Sequence, residues 1–363
     1  MRARLTVACA EIALAVVSTG LASRTAVSQT LPKISFARPE WTSEASFTQL
    51  SGMRELTDGR VIVADYQEAE VHLIGVNGKT IAPIGGKGSG PGEYQMPMRL
   101  IPLAGDTTLL VDSESRRYLL INKAGKVVAT QRFPASLGDD LSQIKGTDAA
   151  GRLIFRVSPN PPKPGARAEA AIGRWQRGRQ RFDTVTMISV DSPKPELFTA
   201  GADDEKQYVG RVRVRFAPVD DWVVAPSGRL AIIHAIPYRV DWLDANRTLV
   251  AGEAVTYAPV TVTEADRKNA EPKGPPFVRS YARVKAAFVP ECAIPDDMDN
   301  IWVPRYEMAG AATRRWDVFS RTGKHLGTVP LASDRMLLAI TKRYAYAVRT
   351  DDDGLRWIER YAR

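Results

Sequence analysis

One internal repeat constrains this chain more than any other feature. The segment RVIVADYQEAEVHLIGVNGKTI (60–81) lies over DTTLLVDSESRRYLLINKAGKVV (106–128) without a gap. Asp65 then falls on Asp112, Val71 on Tyr118, Leu73 on Leu120, Ile74 on Ile121 and Gly78-Lys79 on Gly125-Lys126. Each copy reads as a strand ending in Asp, a polar turn, a second strand, a Gly-Lys turn and a third strand. Alternation of apolar and polar residues supplies the strand signal. The glycine near each tip supplies the positive φ of a tight hairpin. A unit of this kind buries its faces only by stacking on copies of itself.

Further copies follow. AAGRLIFRV (149–157) with FDTVTMISVD (182–191) is a third unit, and PSGRLAIIHAIPYRVDWLDANRTLV (226–250) a fourth. DNIWVPRY (299–306) with RRWDVFSRTGKHLGTV (314–329) is a fifth. MLLAITKRYAYAVRTDDDGLRWIERYA (336–362) is a sixth that stops after three strands. Its fourth strand is expected from the N-terminal side, where ISFA (34–37) and EASFTQL (44–50) are strand-like. Such closure removes the open sheet edge of a linear array. The expected fold is all-β, a six-bladed β-propeller closed by strands from both ends of the repeat region.

The run Gly90-Pro91-Gly92-Glu93-Tyr94, followed by Pro97 and then by Val111-Asp112 in the next unit, resembles NHL-type repeat propellers and related six-bladed rings. The resemblance is clear over 53–132 and patchy over 133–363. It implies architecture. Because the fold carries binding scaffolds, receptors, lactonases and lyases alike, it does not imply one activity.

The first residues, MRARLTVACAEIALAVVSTGLASRTAVSQT, join a basic start to an apolar stretch and a small-x-small site at Ala26-Val27-Ser28. They read as a signal peptide over 1–28, with residues 29–363 as a single domain in an extracytoplasmic (periplasmic or secreted) compartment. No stable membrane span is expected after processing. Of the two cysteines, Cys9 lies in that segment and Cys292 is left alone, so no intrachain disulfide is expected. The formal charge of +9 is compatible with an anionic partner and is no nucleic-acid signature. A monomer without a nucleic-acid partner is expected.

GGKGSGPGEYQMP (85–97) has the composition of a phosphate loop. It lacks G-x-x-x-x-G-K-[ST], and Pro97–Pro102 follows where both nucleotide fingerprints require a helix. It reads as a crossover between blades. There is no G-x-S-x-G, H-E-x-x-H or C-x-x-C. The histidines, His72, His234 and His325, lack ligand spacing. The acidic runs 296–300 and 351–354 read as solvated turns, since neither completes a calcium loop.

Arginine carries the binding expectation. VGRVRVRF (209–216) would place Arg211, Arg213 and Arg215 on one face of a strand, as an anion-binding wall or as a charged protective edge. By repeat position, Arg54, Arg99, Trp222 and Arg335 would also approach the channel. GRWQRGRQRF (173–182) reads as an inserted arm in blade 3. Residues 259–290 read as an inter-blade insertion with two helices, one after Thr263 and one over 280–288. The first functional reading is a non-catalytic module for an anionic small molecule, a glycan or a protein, with no cofactor. The alternative is a metal-dependent lactonase-, hydrolase- or lyase-type propeller, holding one divalent cation such as Ca²⁺ through Asp220 and Glu291, with Asp65 or Asp112.

Overall fold

The structure is a computed structural model. It describes residues 30–138, 140–157, 169–190, 196–200, 208–212, 214–244, 246–270 and 280–363, with backbone alone for 196–200 and 208–212. The expected signal peptide, Arg213 and the side chain of Arg211 lie outside the described residues. Residues Leu31–Arg363 form one compact unit.

Six four-stranded antiparallel sheets make a six-bladed β-propeller. Their first strands are Leu50–Glu55, Pro97–Pro102, Ile144–Thr147, Asp221–Val224, Ile294–Pro295 and Arg335–Ile340, in blades 1 to 6. These strands touch in cyclic order, blade 6 against blade 1, and so surround a channel. Blade 6 is closed by Trp41–Thr42, which pairs with the last strand, Arg356–Ala362. The closing strand therefore falls between the two segments expected to supply it. Trp41 is fixed there by Arg360, whose guanidinium lies 5.2 Å from the indole ring.

The core is divided into six apolar clusters, one between each pair of neighbouring blades. Ile62, Leu73, Leu110 and Leu119 join blades 1 and 2, while Val61, Val63, Tyr346 and Ile358 join blades 6 and 1. This explains why strand Val61–Asp65 is buried on both faces. Each blade is sandwiched, so both sides of its central strands leave water.

Nine described hairpin turns share one geometry. Residue i donates its N–H to the carbonyl of i+4 and accepts at its own carbonyl from the N–H of i+3, as at 75–79, 122–126 and 148–152. The fourth residue has positive φ in every one, 82° at Gly78 and 77° at Gly125. Two turns place other residues there, Arg247 (φ 64°) and Asp299 (φ 61°).

The glycine-rich segment is a crossover from blade 1 to blade 2, as its context implied. Gly86–Lys87 pairs in parallel with Glu93–Tyr94. Its Gly90 N–H donates to the loop's own Glu93 carboxylate at 2.7 Å. The carbonyls of Gly88 and Ser89 accept from the buried Arg117 guanidinium at 2.9 and 2.8 Å, and Arg117 also pairs with Asp112 at 3.0 Å. At Gly85 (φ 67°) an added Cβ would run into the carbonyl of Gly92.

Two sequence expectations are corrected. Residues 173–182 are no inserted arm: Glu169–Trp175 and Asp183–Ser189 are the outer strands of blade 3, joined by a turn. Trp175 is buried against Phe133 and Tyr118. Residues 280–288 are not helical. They are extended and bridge to Arg215, Thr261 and Arg305 through Tyr281, Val284 and Phe288. Among the described residues of the insertion, only Glu264–Asn269 forms an α-helix, with Thr263 and Asp266 making a capping box.

Candidate functional site

The connections from the second to the third strand of each blade, and from the fourth strand to the next blade, emerge on one face. The two long crossovers start and end on it, after blade 3 (between 190 and 220) and after blade 4 (between 251 and 293). Between them, at the mouth of the channel, is an open pocket of about 170 Å³. Arg156, Arg215, Phe216, Asp220, Asp221, Glu291 and Tyr306 line it, with Val190, Val214, Ala217, Val219 and Pro290.

Asp221 is the fixed point of the floor. It is almost wholly buried and accepts from Lys145 Nζ at 2.8 Å, from its neighbour's amide on Trp222 at 2.7 Å and from the Glu291 amide at 2.7 Å. The Glu291 bond holds a non-glycine residue at φ 63°. Strain of this kind persists only where surrounding structure imposes it. The Glu291 carboxylate is 43% exposed and only loosely engaged, 3.6 Å from Arg156 Nη2 and 3.5 Å from Gln143 Nε2.

Arg156 is only loosely satisfied. Its second carboxylate, Asp140, is 4.0 Å away, and its buried Nε has no acceptor among the described residues. Arg215 is exposed and forms no ion pair among the described residues; its backbone is held by Ser280 and Ala282. Phe216 and Tyr306 meet edge to face at 5.5 Å beside them.

Asp220 begins a chain of polar contacts. Its Oδ2 lies 3.1 Å from His234 Nδ1, and His234 Nε2 lies 3.0 Å from Asp241 Oδ2. Burial acts to raise the Asp241 pKa, but hydrogen bonds from Arg239 and the Gly252 amide outweigh it and hold the carboxyl below its ordinary range. Around the channel itself, burial lowers the Arg99 pKa, opposed by Glu291 and Asp221. Burial, then Asp221, pushes the Cys292 thiol up, which disfavours the thiolate.

The structure thus brings Arg215, Asp220 and Glu291 into one lining, with Arg99 nearby and bonded to the Ser142 carbonyl at 3.0 Å. It leaves others elsewhere. Arg54 is buried between blades 1 and 2, where it donates to Thr108 Oγ1 at 2.6 Å and faces Asp106 at 3.6 Å. Arg335 is held by Glu359 at 2.7 Å. Trp222 is buried beneath Lys145, 4.9 Å from its ring. Of the expected arginine ladder only Arg215 has a described side chain; its backbone bridges to Tyr281. Asp65 and Asp112 are used as caps on the chain entering their own blades, accepting from Thr48 and Gln49, and from Gln95 and Met96. Among the described residues, no three His, Cys, Asp or Glu side chains are grouped to hold a metal ion.

Arg156 was not singled out by the sequence, yet a signal exists once the blades are in register. Counting from the residue that opens the pairing of the first two strands, the fourth position is Ala64, Val111, Ile233, Pro304 and Val348 in five blades and Arg156 in blade 3. The fifth position is Asp65 and Asp112 in blades 1 and 2, and His234 in blade 4.

No known family pattern matches the chain, and no curated protein matches it. Among solved structures, a member of the DUF4221 family from Bacteroides vulgatus is similar over 89% of this chain and 97% of its own, at 9% identity and TM-score 0.51. Virginiamycin B lyase from Staphylococcus aureus is similar over 87% and 96%, at 10% identity and TM-score 0.44. A calcium-binding regucalcin from Agrobacterium tumefaciens is similar over 89% and 95%, at 12% identity and TM-score 0.43. At such identities the likeness is one of fold.

Proposed function

We propose that this propeller is an exported, non-catalytic binding module whose channel mouth takes a small anionic ligand. One observation carries the reading. Two guanidinium groups, Arg156 and Arg215, line one pocket; among the described residues Arg215 has no carboxylate in ion-pair range, and Arg156 has only long contacts, to Glu291 at 3.6 Å and Asp140 at 4.0 Å. Guanidinium groups left in this state favour a carboxylate or phosphate that accepts from both. The cavity is close in size to one that holds a benzene-sized group, so the buried part of the ligand is small. The export half of the reading rests on residues 1–28; no helix among the described residues is long and apolar enough to cross a membrane.

Titration calorimetry with 3-phenylpropionate tests the reading. Binding that weakens about tenfold in Arg156→Ala and in Arg215→Ala, and weakens with added salt, is the expected result. Unchanged binding in both variants overturns it. The metal-dependent alternative would draw on Asp220 and Glu291. Unfolding in the presence of Ca²⁺ and then of chelator tests that route, with a chelator-reversed stabilisation as its signature.

A further inference from the structure

We infer that the ligand of this pocket is a zwitterion, an α-amino acid or similarly small molecule that carries an ammonium beside its carboxylate and an apolar or aromatic body. The inference rests on the anionic reading above and adds the second charge.

The lining is mixed, and its charges are unequally paired. Asp221 is neutralised by Lys145 and has its lone pairs committed to three donors. Glu291 is different: it is 43% exposed, and among the described residues its one cationic neighbour in ion-pair range is Arg156, at 3.6 Å. A bound carboxylate draws on that same guanidinium. It would loosen the one ion pair that Glu291 makes among the described residues and would lie near a like charge, which is unfavourable across a partly desolvated site. A ligand that brings its own cation removes this conflict. Its carboxylate takes Arg156 and Arg215, and its ammonium takes the Glu291 carboxylate, with Asp220 also in the lining.

The third part of the ligand follows from the rest of the wall. The edge-to-face pair Phe216–Tyr306 offers an aromatic surface that packs on a ring or a branched aliphatic group. The cavity of about 170 Å³ admits one such group and leaves no space for a large glycan inside it. The φ of 63° at Glu291 is consistent with a carboxylate placed for binding rather than for stability.

The test compares three probes that share a ring: L-phenylalanine, 3-phenylpropionate without the ammonium, and 2-phenylethylamine without the carboxylate. Calorimetry on the whole chain at fixed ionic strength is expected to give L-phenylalanine the tightest binding, about tenfold above each of the others. Glu291→Gln is expected to weaken L-phenylalanine about tenfold and to tighten 3-phenylpropionate, with thermal unfolding recorded to show an intact ring. If 3-phenylpropionate binds the unmodified protein as well as L-phenylalanine does, the zwitterion is overturned while the anionic reading stands. Binding of 2-phenylethylamine alone, or of none of the three, overturns both.

Discussion

The main-chain N–H of Glu291 donates to the Oδ2 of Asp221 at 2.7 Å, tying the entry to blade 5 to the first residue of the inner strand of blade 4. The bond holds Glu291 in the left-handed region, which costs a side-chain-bearing residue roughly 1–2 kcal/mol. Glu291→Gly is therefore expected to raise stability slightly, by about 0.5 kcal/mol after the entropy of glycine is deducted, while removing the exposed carboxylate from the pocket. Urea midpoints read the first effect. A lower midpoint in the glycine variant contradicts the account.

Glycine at the fourth position of the shared turn has two possible reasons, and two sites separate them. At Gly354 an added Cβ meets nothing within 4 Å, so Gly354→Ala is expected to cost only the conformational term, about 1 kcal/mol. At Gly323 it would run into Val240 O and Gly252 Cα, and Gly323→Ala is expected to cost about 3 kcal/mol. Equal losses in denaturant titrations would show that close approach adds nothing.

Arg117 is expected to be the structural key to the glycine-rich crossover. Arg117→Ala strands Asp112 and two carbonyls in a buried setting, at a cost of about 3 kcal/mol. Arg117→Lys keeps the charge without the planar fork and recovers little of that loss. A lysine variant as stable as the parent rejects the planar fork shared among Asp112, Gly88 and Ser89 as the reason for this residue.

The Tyr94 hydroxyl donates to the Ile84 carbonyl at 2.8 Å, and burial pushes its pKa up to about 12. The folded value lies above the unfolded one of about 10. Its contribution is complete below pH ~10 and is lost as pH rises toward about 12, on the order of 2 kcal/mol. Tyr94→Phe is expected to flatten part of the alkaline decline. Melting temperatures of the two proteins that fall in parallel above pH ~10 would assign the decline to other groups.

In the crossover after blade 4, Lys285 Nζ and Asp266 Oδ1 form a buried pair at 2.6 Å, and Lys285 also donates to the Glu307 carbonyl at 2.6 Å. Lys285→Ala is expected to cost about 3 kcal/mol by leaving Asp266 buried and unpaired, and Lys285→Ala with Asp266→Ala to recover part of it. Additive losses in the double-mutant cycle would deny the coupling.

The blade repeat was legible because its signals are local: period-2 strands and Gly-Lys turns. It faded where the physics permits substitution, as at Arg247 and Asp299, which hold the glycine conformation with other side chains. The closing strand was displaced for a different reason. Trp41–Thr42 is too short to announce itself, and its place is set by a partner far along the chain. The helix expected over 280–288 lost to tertiary pairing with Arg215, Thr261 and Arg305. Of the candidate site, Asp220 and Glu291 were readable from repeat position, and Arg215 from the alternation of 209–216. Arg156 became visible only when strand pairings put six unequal copies in register, because an arginine at a strand end is unremarkable until its five counterparts are known to be apolar.

Trp41–Thr42 pairs with residues of the last strand, so the piece that seals the ring is the first of the described strands to be synthesised. At a translation rate of 5–20 residues per second, it waits roughly 15–60 s for Arg360 to exist. During that interval the early blades can pack one on another while the seam stays open. The timing of assembly is thus written into the order of the chain, and a delay in the final blade would hold every molecule at the same unsealed stage.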